Sequence, residues 1–169
     1  ITRIKAAREE TGIALSAMCL EPNFCLVDYG NDRELVEGTV ESAKVARSLG
    51  CSTMIATTGD VVAGETWELT RRRVVRKLRE MAKAAADNNV TIVVEPLNPV
   101  VNHKGYWLTT AAQAADVIAD VGSPALKMLF DCYHQQLTEG NLTDKIRRFI
   151  SIIGHFHTAG VPGRHELVG

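Results

Sequence analysis

Three apolar runs in this chain each end in a residue able to hold a divalent cation: Thr91-Ile-Val-Val-Glu95, Lys127-Met-Leu-Phe-Asp131 and Ile153-Gly-His-Phe-His157. Two carboxylates and one imidazole suit a borderline-to-hard ion such as Mn, Mg, Co or Zn, with positions left open for water and substrate. A cation chelating a carbonyl and its neighbouring hydroxyl acidifies the C–H between them, and a carboxylate such as Glu95 can then move that proton through an enediolate. The expected chemistry is aldose–ketose isomerisation or epimerisation.

If the runs are parallel strands, their carboxyl ends converge on one rim, where α/β barrels keep their chemistry. Side chains alternate along a strand, so Thr91, Val93 and Glu95 are expected on one face, as are Lys127, Leu129 and Asp131, and Ile153, His155 and His157. The intervals from Glu95 to Asp131 and from Asp131 to His157 each match one βα unit, since a crossover takes roughly 30 residues. Pro96 ends its strand at Glu95, because proline cannot continue the ladder. His134, three residues beyond Asp131, leans over the same rim, either against substrate oxygen or as a hydrogen-bonded partner of a ligand. His155 would sit one layer deeper as a core histidine, and Arg164 could clamp an anionic or hydroxylated substrate or serve as an ordinary salt-bridge donor.

The elements that must position these residues read as αβαβαβαβαβ. Helices are expected over Ile1–Thr11, Asp32–Leu49, Glu65–Asn89, Thr109–Val121 and Leu142–Ile150, and strands over Ile13–Leu20, Cys51–Thr57, Val90–Glu95, Leu126–Asp131 and Ser151–Thr158, with a loop over Glu21–Asn31. Asp32 is expected as the cap of its helix. Strict alternation with short connections gives an α/β fold with a parallel sheet in one domain, either doubly wound or part of a barrel. A closed (β/α)8 barrel needs about 250 residues and this chain supplies five units, so the native protein is expected to be longer. An opening without Met and the ending Leu167-Val-Gly169 fit that expectation.

Composition narrows the partners. At 46% apolar and 23% charged, with a net charge of −1, the chain is globular and has no broad attraction to nucleic acid or to an anionic membrane. The expected partner is a small molecule, a sugar or hydroxy-oxo-acid, and a homo-oligomer is left open. The arginine-rich stretch Arg71, Arg72, Arg73, Arg76, Lys77 and Arg79 is read as a solvated helix face. Cys19, Cys25, Cys51 and Cys132 form no CxxC pair and read as buried thiols. No apolar stretch reaches the roughly 18 residues needed to span a bilayer, and a cytoplasmic location is expected.

The segments Val94-Glu-Pro-Leu-Asn98, Phe130-Asp-Cys-Tyr-His-Gln135 and Ile153-Gly-His-Phe-His-Thr-Ala-Gly-Val-Pro-Gly-Arg-His-Glu166 resemble the hydroxypyruvate isomerase family, within the xylose isomerase-like TIM barrels and beside the ketose 3-epimerases. The resemblance implies a (β/α)8 barrel of which this chain is a five-strand fragment, the third to seventh βα units. It implies Glu95 as metal ligand and acid/base, Asp131 and His157 as further ligands, and His134 and Arg164 on substrate oxygens. It also implies a fourth ligand, a Glu beyond Gly169. Hydroxypyruvate isomerases commonly carry Gln where this chain has His157, and ketose epimerases carry His, so the substrate stays open between the two. Trp107, with Tyr106, falls where the family packs the substrate chain, or else simply packs its loop. Two rivals stand beside this reading. A zinc apurinic endonuclease would need further histidines on earlier strands, and Leu20 and Thr57 offer none; a non-catalytic barrel segment would dock on a partner.

Overall fold

The computed structural model describes residues 1–21 and 25–167; positions 22–24 of the expected Glu21–Asn31 loop, and 168–169 of the chain's ending, lie outside the described residues. Five parallel strands stand side by side in chain order: β1 (Met18–Cys19), β2 (Thr53–Ala56), β3 (Thr91–Val94), β4 (Leu126–Asp131) and β5 (Ile153–His157). Between and around them run α1 (Thr2–Thr11), α2 (Asp32–Ser48), α3 (Trp67–Asp87), α4 (Ala111–Val121), α5 (Cys132–Thr138) and α6 (Leu142–Phe149). The result is an open five-strand arc of an α/β barrel, with β1 and β5 each bonded to a single neighbour.

The two faces of the arc divide the labour. Met54, Ile92, Val94, Met128 and Phe130 point outward into the main core with α2, α3 and α4, where each large buried side chain contributes roughly 1.5–3 kcal/mol. By alternation Val93, Glu95, Leu129 and Asp131 point to the concave side. Both faces of β3 are nearly dry, which is why Thr91-Ile-Val-Val94 is a continuous apolar run rather than an alternating one. Capping fixes where the helices start: the Thr66 hydroxyl accepts the Leu69 N–H at 3.3 Å, and Thr110 with Gln113 forms a capping box. Gly122, at φ 68°, closes α4 in the left-handed conformation that glycine adopts at least cost.

Several expectations are corrected. The first strand is two residues long rather than Ile13–Leu20: only Met18 and Cys19 pair with β2, and Ile13 and Ala14 are exposed, with no buried face to hold them to the sheet. Helix α5 has no counterpart in the sequence pattern, because seven residues starting directly after the last strand residue are too few to show a period. Asn31 occupies the cap position of α2, and Asp32 is its first residue, paired instead with Arg76. The basic stretch on α3 is not a uniformly solvated face. Arg73 and Lys77, one turn apart, are 7% and 2% exposed and reach across to the segment before α2, Arg73 to the Val27 carbonyl and Lys77 to the Asp28 carbonyl and Asn31, while Arg73 also pairs with Glu65 just ahead of α3. Of the four thiols, Cys51 is buried, Cys132 half-buried, and Cys19 and Cys25 exposed.

One local irregularity decides the site. Met128 pairs with Ile153, but the next partner of Leu129 is His155, so Gly154 is an extra residue in β5. Ile153 therefore joins the helix-side core instead of sharing a face with His155 and His157. Beyond the bulge, Phe156 lies opposite Phe130 and His157 opposite Asp131. Without it, Phe156 would meet Asp131 and His157 would turn outward. A Cβ at Gly154 would lie 2.9 Å from Lys127 Cβ, so only glycine fits there undisturbed.

Candidate metal centre

Glu95, Asp131 and His157 come together at the C-terminal ends of β3, β4 and β5, with one ligand atom from each within 4.8 Å of the others. His157 Nδ1 stands 3.6 Å from Glu95 Oε1 and 3.9 Å from Asp131 Oδ2. Ligands held at roughly 2.0–2.6 Å by one ion are separated by no more than about 5 Å. The trio meets that limit. The carboxylates are deeply set, 10% and 3% exposed, while the His157 side chain is 40% exposed and opens the group to solvent.

The electrostatics also suit a cation. Burial and the neighbouring Asp131 carboxylate push Glu95 up to about 7, and the Arg164 guanidinium offsets this only in part. Two close carboxylates in a low-dielectric pocket repel one another, and a divalent ion would remove that cost. The residues present fit such an ion on geometry and on charge.

Asp131 has a second task. Its Oδ1 accepts the His134 N–H at 3.1 Å and thereby caps α5, leaving Oδ2 toward the trio. Arg164 Nη2 approaches that Oδ2 at 3.4 Å and its guanidinium lies 4.9 Å over the Tyr133 ring. His134 is 1% exposed, with Nε2 3.7 Å from Asp131 Oδ2 and Nδ1 3.2 Å from the Asn98 N–H. Burial lowers its pKa to about 4, so the ring is neutral at ordinary pH. Thus His134 and Arg164 both border the trio. Trp107 is 4% exposed and stacks on Trp67 at 4.1 Å. His155 sits half-buried beside His157, ring centres 5.1 Å apart.

Three further residues support the site, and of these only Tyr106 carries an expectation from the sequence, with Trp107 against the substrate chain or packing its loop. The Tyr106 hydroxyl donates to the Glu95 carbonyl and accepts the Thr58 N–H, bracing the end of β3. Gln135 donates to the Pro96 carbonyl and accepts the Ala111 N–H, tying α5 to the start of α4. Asn98 bridges the loop after β3 to His134. Only Asn98 leaves a local signal, an asparagine between Pro96 and Pro99 where a side-chain-closed turn is favoured.

Among known proteins, the chain is 33% identical over 141 residues to a putative hydroxypyruvate isomerase of Homo sapiens, covering 81% of this chain and 51% of that protein. It is 36% identical over 101 residues to a D-psicose 3-epimerase of Enterocloster bolteae, covering 57% and 33%. The chain thus spans about half or less of the length of these relatives. A solved structure of an AP endonuclease, family 2, from Brucella melitensis superposes with a TM-score of 0.86 at 22% identity, covering 98% of this chain and 68% of that one, a likeness of fold alone. The family described as xylose isomerase-like TIM barrel matches residues 1–169 throughout. With strand order, rim and match in agreement, the chain belongs to the xylose isomerase-like TIM-barrel family.

Proposed function

We propose that the trio is the metal-binding part of an active site that isomerises or epimerises small hydroxy-aldehydes and ketones, hydroxypyruvate or ketose sugars, by enediolate proton transfer at the carbon beside the carbonyl. The observation that carries this reading is the meeting of Glu95, Asp131 and His157 within 4.8 Å at the ends of three consecutive parallel strands. Relatives named as a putative hydroxypyruvate isomerase and a D-psicose 3-epimerase support the reaction class.

In this reading Asp131 and His157 hold a divalent cation together with Glu95. The cation supplies Lewis acidity toward a carbonyl and its neighbouring hydroxyl. Glu95 takes the proton from the carbon between them and holds it until it is returned to the substrate. His134 through Nε2–H and Arg164 through its guanidinium donate to substrate oxygens and set the carbon chain across Glu95. Trp107 acts from behind, holding the loop after β3 in place.

The test is a calorimetric titration of the chain with Mn²⁺, followed by assays with hydroxypyruvate and D-psicose on this chain and on a form extended past Gly169. We expect one ion per chain, lost in Glu95→Gln, with proton exchange or turnover in at least one form. Absence of saturable binding would sink the reading; several ions per chain with cleavage of an abasic duplex would replace it by a phosphodiesterase.

A further inference from the structure

We propose that Asn98 is a positioning residue that locks His134 into the tautomer carrying its proton on Nε2, so that this ring can only donate toward the metal centre. The inference rests on the isomerase reading for its purpose, though not for its geometry. A backbone N–H cannot exchange roles, and that of Asn98 lies 3.2 Å from His134 Nδ1. Nδ1 must therefore accept, which leaves the proton of a neutral imidazole on Nε2.

The Asn98 side chain repeats the instruction. Its Oδ1 accepts the N–H groups of Val101 and Asn102 at 2.9 and 3.3 Å, which fixes the amide orientation. The amino group then faces His134 Nδ1 at 2.6 Å and Asn102 Oδ1 at 3.1 Å. Asn102 Oδ1 also accepts the Tyr133 hydroxyl at 2.9 Å, so the loop after β3 and the first turn of α5 hold each other in one register. Asn98 is fully buried and His134 nearly so, and water has no room to supply a competing partner. On the far side of the ring, Nε2 lies 3.7 Å from Asp131 Oδ2, beside the trio. His134 thus serves as a donor to a substrate oxygen and not as a base.

The experiment is two-bond ¹H–¹⁵N correlation on the metal-free chain with ¹⁵N-labelled histidine. His134 is expected to show an unprotonated Nδ1 and a protonated Nε2, with a scalar coupling across the hydrogen bond between the Asn98 N–H and Nδ1. A protonated Nδ1 or no coupling overturns the proposal. No substrate enters this measurement: the expected pattern in a chain that turns over no sugar refutes the isomerase reading alone, and the wrong tautomer in an active enzyme refutes this inference alone.

Discussion

Asp131 carries two functions on two oxygens, and a substitution can separate them. Asparagine is the nearest mimic in shape, so Asp131→Asn should keep an oxygen for the His134 N–H and leave α5 capped, while the lost charge weakens the trio. Altering residues behind a metal ligand typically costs 10–100-fold in affinity, and a direct ligand should cost at least roughly 100-fold. Mn²⁺ calorimetry should show that loss. Urea unfolding in chelator should show unchanged or raised stability, because Glu95 no longer faces a second buried carboxylate. Asp131→Ala, which removes the cap too, should lose about 1 kcal/mol in the same melts. The trio is legible in the sequence because its members share a rank at strand ends. The Asn98–His134 bond is not, since it spans 36 residues and depends on how two loops fold against each other.

Strand β5 shows how one residue sets a whole face. Parity alone places Ile153, His155 and His157 together, and the bulge at Gly154 moves Ile153 to the helix side while keeping both histidines on the concave side. The signal exists, a glycine inside an apolar strand, but a bulge and a simple weak point look alike in one sequence. Gly154→Ala would bring a methyl to 2.9 Å from Lys127 Cβ, and such overpacking costs roughly 1–3 kcal/mol. The expected outcome is a destabilised chain whose Mn²⁺ affinity falls although no ligand has changed; retained affinity would show that the bulge is not what holds His157 opposite Asp131. On α3 the helical period is plain in the sequence. The depth of Arg73 and Lys77 is not, because their burial comes from carbonyls of another segment that composition does not reveal.

At the scale of the molecule, alternation of helix and strand is enough to give five sequential βα units, because local propensity and burial agree in each of them. What fastens the segment before α2 to the rest is less visible: Glu65 receives Arg73, Tyr29 and Thr70 at a side chain only 10% exposed. These partners, the Arg73 hydrogen bond first, depress Glu65 to about 2. A folded-state pKa below the unfolded one means stability fully present above about 4.5 and lost as pH falls through about 2. Urea midpoints should therefore drop across that window, and Glu65→Gln should flatten the acid limb while lowering stability near neutrality. A midpoint insensitive to acid would show that Glu65 is not coupled to folding.

The chain holds two tryptophans, and both are in the one stack, Trp67 on Trp107 with planes 16° apart. Rings that close exchange excitation, so their absorption splits into a paired circular-dichroism band that vanishes when they part. Trp107 follows directly on Tyr106, whose hydroxyl grips the Glu95 carbonyl. The protein therefore carries a built-in, label-free optical gauge of whether the loop behind its principal carboxylate is seated.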